Sequence, residues 1–305
     1  MRKNMLKKEK ILLILILSIT GSLFIGSTAN YKKVDTLESI HTSNLTPLSD
    51  PNDSVLNITN KFNYLQLEDD PNAEDAFIVA ENTNDLLKGF KHYPIRTDRK
   101  KVVYLTFDDG PSITNTPSIL KVLNEYNIKA TFFVTGKALI ATPESKELLK
   151  EIAMNGHAIG NHTYSHNYNF LYPGRTISTK NVITDLNKNL ELMQSILGKD
   201  FYTRIIRLPG GYRTWNGKEA FKSEMDNLNL KNVDWNALNG DAEGNNKCAQ
   251  ELNAFLARSV NKLGDDADNI IILMHDTYGK AATVKALPSA IEYFKDKGFE
   301  FKTIK

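Results

Sequence analysis

A single cysteine, Cys248, excludes any internal disulfide, so this chain of 305 residues depends on its core and not on covalent staples. Charge of one sign is also scarce: 38 basic side chains against 36 acidic leave a formal +2. Even that excess is local. Arg2, Lys3, Lys7, Lys8 and Lys10 crowd the first ten residues, and the rest of the chain is slightly acidic. A near-neutral body without a basic stripe argues against a nucleic-acid partner. Long hydrophobic runs are missing beyond position 29, which excludes a multi-span membrane protein. No self-similarity recurs at about 20–50 residues, so a solenoid is excluded too. What remains is a globular composition, 41% hydrophobic and 24% charged, able to bury a sizeable core.

The one apolar run follows the N-terminal cations, from Ile11 to Leu17, and resumes at Leu23-Phe24-Ile25. A positive flank before a hydrophobic segment is the layout of an export signal, and Ser27-Thr28-Ala29 offers small residues for cleavage after Ala29. The uncharged stretch also approaches the roughly 20 residues that an uncleaved anchor needs. Residues 1–29 are therefore expected to be a signal peptide or membrane anchor. The protein is expected to be exported to the extracellular or cell-wall side, touching membrane only through this segment.

Residues 30–97 are rich in Asn, Asp, Ser and Thr, with Pro47, Pro51 and Pro71 scattered among short apolar bursts. They read as a polar tether or a small accessory region. From residue 98 the texture changes. Val102 to Phe107 is a β-rich run ended by Asp108-Asp109-Gly110-Pro111, a strand leaving into a turn. Further strands are expected at Ala130–Thr135, His157–Asn161, Arg204–Leu208, Lys231–Trp235, Asn269–Met274 and Phe299–Ile304. Helical spacing lies between most of them, clearest in Val182, Leu186, Leu190, Met193 and Leu197. Alternation of this kind predicts a parallel α/β domain over residues 98–305, as an open sheet or a barrel.

Chemistry-bearing side chains cluster at the carboxyl ends of these strands, where α/β folds place their sites. His162 and His166, four apart, face one way if they lie on a helical turn and can then share a metal ion. Asp108 and Asp109 offer a carboxylate as third ligand and a second to take a proton from water, although Asp-Asp-Gly-Pro is also ordinary turn chemistry. Two histidines and one aspartate would leave a Zn²⁺-like ion an open position. Arg207, before Pro209-Gly210-Gly211, can pair with an aspartate or make a surface ion pair. The glycines let a backbone N–H approach a substrate oxygen, or simply make a turn. His275, after the apolar Ile270 to Met274, can act as a general acid or rest as a core histidine.

Together, Thr106-Phe107-Asp108-Asp109-Gly110, His162-Thr163-Tyr164-Ser165-His166, Arg207-Leu208-Pro209-Gly210-Gly211, Asp234-Trp235 and Leu273-Met274-His275 resemble the five ordered motifs of the polysaccharide deacetylases, carbohydrate esterase family 4, or NodB homology domain. The resemblance implies a distorted (β/α)7-type barrel and metal-dependent hydrolysis of a sugar N-acetyl group. It assigns Asp108 as general base, with Asp109, His162 and His166 holding a divalent metal, Zn²⁺ first and Co²⁺ or another ion as alternatives. Arg207 would orient Asp108, and the Gly210 N–H would steady the oxyanion. His275 would protonate the departing amine, its pKa raised by Asp234. Trp235 and Leu273 would form apolar walls. Gly210 stands where many members carry an aromatic residue and Leu208 replaces a common proline, so a more open groove is expected, with Tyr212 as a displaced aromatic surface. The implied substrate is an N-acetylglucosamine polymer, peptidoglycan or chitin-like. O-acetyl esters, chitin oligomers and a non-catalytic glycan-binding role are the alternatives.

Overall fold

The computed structural model describes Phe62 and residues 64–305. The N-terminal apolar run, the expected cleavage position and most of the polar stretch after it lie outside the described residues. Among the described residues, no helix is long and apolar enough to cross a membrane. In chain order the elements are β1 (Ala73–Glu74), α1 (Ala76–Lys88), β2 (Lys101–Asp108), α2 (Thr116–Glu125), β3 (Thr131–Val134), α3 (Gly136–Leu139), α4 (Pro143–Met154), β4 (Ala158–Asn161) and α5 (Tyr168–Leu171). They continue as α6 (Thr179–Leu197), β5 (Ile205–Ile206), α7 (Lys218–Asn227), β6 (Lys231–Asn232), β7 (Ala237–Leu238), α8 (Ala249–Asn261), β8 (Asn269–His275), α9 (Ala281–Asp296), β9 (Phe299–Phe301) and β10 (Thr303–Ile304).

Eight strands form one parallel sheet in the order β6-β5-β4-β3-β2-β8-β7, with β9 also paired to β2. Its longest pairing runs between β2 and β8, from Val102↔Asn269 to Asp108↔His275. The other edge of β2 pairs with β9 near Lys101–Val103 and with β3 near Thr106–Asp108. Consecutive strands β6 and β7 sit at opposite ends of this order, so the curled sheet is a half-barrel whose edges share no ladder. The expected last strand, Phe299–Ile304, is divided: β9 joins this sheet and β10 pairs with β1. β7 has no counterpart in the expected set.

Alternation along the strands separates two apolar layers. Val103, Leu105 and Phe107 of β2, with Ile270, Ile272 and Met274 of β8, pack in the larger core, which includes α2, α4, α8 and α9. Val102 and Tyr104, with Phe133, Ile205 and Ile271, belong to a second cluster on the other face. That face becomes polar toward the strand ends, at Thr106 and Asp108.

The second cluster corrects the domain boundary. α1, capped by the Asp75 side chain on Phe77 N, contributes Ala76, Val79 and Ala80 to it. β1 adds a parallel pairing to β10, and Tyr64 is buried in the larger core. The tether expected over residues 30–97 therefore does not hold for its described part, which packs as part of the domain. The segment shows no sustained period because its apolar residues occur in short bursts, of which Tyr64, Ala76, Val79 and Ala80 are buried while Ile78 and Phe90 stay exposed. Tyr64 shows the dependence: its ring meets Phe201 edge-on at 5.2 Å, and its hydroxyl accepts from Ile159 N at 3.1 Å. Tyr64→Ala is expected to cost about 3 kcal/mol in urea unfolding, the scale of a large-to-small core change. Unchanged stability would mean that the segment only decorates the domain.

Candidate active site

β2 delivers Asp108 to the polar end of the inner face, where the carboxylate is 3% exposed. Arg207, fully buried, comes from the end of β5 and places Nη1 2.8 Å from Asp108 Oδ1 and 2.7 Å from Thr106 Oγ1. Its Nε donates to Val233 O at 2.7 Å, and its guanidinium carbon lies 4.0 Å from the centre of the Phe133 ring. Asp108 Oδ2 is left facing His162 Nε2 at 3.7 Å. The next residue, Asp109, takes φ 71°, a left-handed conformation that turns its side chain away from that of Asp108. Gly110 follows because no side chain fits there. A Cβ would stand 2.1 Å from the Asp276 carboxylate. Burial pushes that carboxyl up to about 7, and Thr116 Oγ1 donates to its Oδ2 at 2.6 Å.

The histidine pair is not on a helical turn. It lies in the loop after β4, where left-handed Thr163 and His166 fold the chain back, and the rings meet with centroids 5.1 Å apart. Buried polar groups of α6 hold the loop: Asp185 Oδ2 accepts from Ser165 N and Oγ, and Asn189 Nδ2 donates to Asn161 Oδ1, which accepts from Thr163 N. These supports could be suspected only from polar residues on the inward face of a helical pattern. His162 Nδ1 sits 2.7 Å from Arg207 O. A carbonyl only accepts, so Nδ1 carries the proton and Nε2 offers a lone pair.

Asp109, His162 and His166 present ligand atoms all within 4.8 Å of one another. Asp109 Oδ1 is 3.0 Å from His166 Nε2 and 3.5 Å from His162 Nε2, yet it is buried with no hydrogen bond aimed at it. Burial alone would raise this carboxyl, but the two imidazoles outweigh it and hold the group far below the usual carboxylate range. An unpartnered carboxylate oxygen beside a lone-pair nitrogen is a donor set that fits a divalent cation, with room for further ligands.

His275, in register with Asp108 across β2 and β8, completes the cluster. Its partner is Asp241, in the loop after β7, and not Asp234. Asp241 Oδ1 lies 2.8 Å from His275 Nδ1, while Oδ2 accepts from His275 N at 2.9 Å and from Thr283 Oγ1 at 2.8 Å. Burial would lower His275, but the Asp241 contact, helped by the charges of Asp108 and Asp109, raises it. Asp234 instead accepts from Tyr212 N, Arg213 N and Asn232 Nδ2, holding the Gly211–Arg213 turn. The resemblance implies Asp234 as this partner; Asp241 instead follows Asn239-Gly240, residue types that by themselves signal only a turn.

With this geometry defined, comparison with known proteins decides the family. The family model "Polysaccharide deacetylase" matches residues 95–231. A peptidoglycan-N-acetylglucosamine deacetylase of Bacillus cereus is 32% identical over 213 residues, 67% of each chain. The putative polysaccharide deacetylase YheN of Bacillus subtilis is 31% identical over 241 residues, 77% of each chain. The chain belongs to the polysaccharide deacetylase family. A solved Streptococcus mutans CE4 esterase superimposes with a TM-score of 0.67 at 33% identity, covering 76% of this chain and 92% of that one.

This deacetylase departs from expectation around Gly210. Tyr212 is no displaced groove wall: its hydroxyl donates to Lys218 O and its ring packs toward Phe221 of α7. Trp235 lies under the turn, 5.5 Å from the Arg207 guanidinium and against Gly211. Leu273 points to the inner face between Ile271 and His275, 7% exposed. The Gly210 N–H has no acceptor among the described residues, in an exposed turn with φ 76°.

The raised His275 gives a signed pH prediction. Its folded pKa exceeds the unfolded value of about 6.5, so the pair's contribution to stability is complete below that value and fades as pH rises through the folded pKa. In metal-free protein, Asp241→Asn is expected to lower the His275 pKa in an NMR titration and to destabilise more at pH 6 than at pH 9. An unmoved titration would break the assignment of Asp241 as its partner.

Proposed function

We propose that this polysaccharide deacetylase is an exported enzyme that hydrolyses N-acetyl groups of N-acetylglucosamine-containing polysaccharide, peptidoglycan foremost, with a divalent cation, Zn²⁺ first, held by Asp109, His162 and His166. The observation that carries the reading is the flanking of one metal-ligand cluster by two differently supported groups on paired strands: Asp108 held by Arg207, and His275 held by Asp241. Relatives named peptidoglycan deacetylases support the polymer, and the N-terminal cations and apolar run support export.

A cation held there lowers the pKa of water and polarises the acetyl carbonyl. Asp108, with Oδ1 fixed by Arg207, uses Oδ2 to take a proton as water oxygen bonds to the carbonyl carbon. The Gly210 N–H donates to the developing oxyanion. His275, with Nδ1 donating to Asp241, delivers the Nε2 proton to the sugar nitrogen as the carbon–nitrogen bond breaks. Acetate and a free amine result. An O-acetyl ester would meet the same groups, and the Streptococcus mutans relative is named an esterase.

Acetate release from N-acetylglucosamine oligomers and from peptidoglycan, with chelation and Zn²⁺ add-back, separates these readings. Turnover is expected to vanish with chelator and return with metal. Asp108→Asn should reduce kcat by about 10²–10⁴, the range for losing a positioned base, while metal content stays at the parent level. His162→Ala should lose the metal itself. Acetate only from O-acetyl sugars would transfer the assignment to the ester, and glycan binding without release of either would make the protein a binder.

A further inference from the structure

We propose that Tyr168, backed by Trp215 and Tyr172, is a sugar-stacking subsite beside the metal centre that takes the pyranose ring of a neighbouring N-acetylhexosamine unit; it rests on the deacetylase reading above. The rings form a continuous layer. Tyr172 stacks on Trp215 with centroids 4.0 Å apart and planes 19° apart, and Tyr168 meets Trp215 edge-on at 5.4 Å. Tyr168 also lies 5.4 Å from the His166 ring, so the layer begins where the metal ligands end. Trp215 and Tyr172 are buried, whereas Tyr168 is 44% exposed. A large ring left in solvent next to a polar reaction centre is an unmatched apolar face, the kind of surface that the C–H faces of a sugar cover.

The layer occupies the space that the Gly210 side chain leaves. A Cβ at position 210 would stand 3.1 Å from Trp215 Cζ2 and 3.3 Å from the Tyr168 hydroxyl. A side chain at 210 would crowd both rings from a left-handed backbone, and an aromatic surface is present there from other elements. Glycine at 210 and the rings at 168 and 215 are therefore one arrangement, and the open groove expected from glycine alone is filled.

The surface is also held in place before any ligand arrives. Trp215 Nε1 donates to Pro209 O at 2.9 Å, and Thr214 Oγ1 donates to Gly210 O at 2.7 Å, tying the ring to the oxyanion turn. The loops bearing the two rings are joined by Ile177 N to Asn216 O and Asn216 N to Arg175 O, both 3.0 Å. Asn167 caps α5, which begins with Tyr168, and Asn181 Nδ2 donates to Phe170 O at 2.8 Å. Little ordering remains for binding to impose.

The test compares metal-loaded full chain, Tyr168→Ala and Tyr168→Phe on the N-acetylglucosamine tetramer and on 4-nitrophenyl acetate, with metal content measured in each. The subsite predicts that Tyr168→Ala lowers the ratio of tetramer to ester kcat/KM roughly tenfold, mostly through tetramer KM, and that Tyr168→Phe restores it. An unchanged ratio with acetate still released would overturn the subsite and leave the deacetylase reading intact. Equal losses on both substrates with lower metal content would overturn it in favour of a support role for His166. A parent that cleaves the ester but releases no acetate from the tetramer would defeat the deacetylase reading, and the subsite with it.

Discussion

A guanidinium without solvent contact must have its charge answered inside the protein, and Arg207 organises the site around that requirement. The carboxylate that answers it is Asp108, so the group facing the metal cluster is fixed by the residue that most needs it. The Arg207 carbonyl, meanwhile, takes the His162 Nδ1 proton and leaves Nε2 free. One residue thus sets the orientation of Asp108 through its side chain and the tautomer of His162 through its backbone. Removing one partner of a buried pair commonly costs about 3–5 kcal/mol, because the other charge is left unanswered. The same arrangement answers a buried charge and aims the free oxygen of Asp108 at His162.

The fold supplies the contrast that makes the site. Along β2 the inner face passes from Val102 and Tyr104, packed under α1, to Thr106 and Asp108, which serve Arg207. β8 follows the same course through Ile271 and Leu273 to His275. Apolar packing fills one end of the half-barrel, so the charged groups at the other end stand on a dry, rigid floor. There the electrostatic interactions are stronger than at a wet surface. α1 belongs to this arrangement: without it, the floor would open to water from below.

What was legible in the sequence follows from which signals are local. Asp108, Asp109, His162 and His166 lie in short, chemically distinctive strings, and the structure brings all four together. His275 can be placed because it ends a strong β run, and Arg207 because it stands before the Pro209-Gly210-Gly211 turn. Asp241 was not legible. Its identity depends on β7, a two-residue strand, and on a loop whose Asn, Gly and Asp read as a turn. Asp234, adjacent to a tryptophan at a predicted strand end, carried the more conspicuous signal but serves the Gly211–Arg213 turn. Tyr212 is the aromatic nearer Gly210 in sequence, whereas backbone hydrogen bonds between 175–177 and 216 help to bring the more distant Tyr168 there. Residues 64–97 carry no such local signal, because packing against an unclosed sheet is a tertiary property with no period.

The curl of the sheet is itself readable from the two supporting pairs. Asp108 and His275 sit on adjacent strands, but their partners come from opposite sides of the pair in the strand order. Arg207 follows β5, three strands from β2, and Asp241 follows β7, next to β8 at the edge. In a flat sheet, three strand spacings of about 4.8 Å would put Arg207 beyond the reach of Asp108. A contact of 2.8 Å therefore requires the inner face to fold over on itself. Curvature brings Asp108 and Arg207 together on one side, while the adjacent β7–β8 pairing brings His275 and Asp241 together on the other. The half-barrel needs no closed ladder for this, because the catalytic groups depend on the curl and not on the seam.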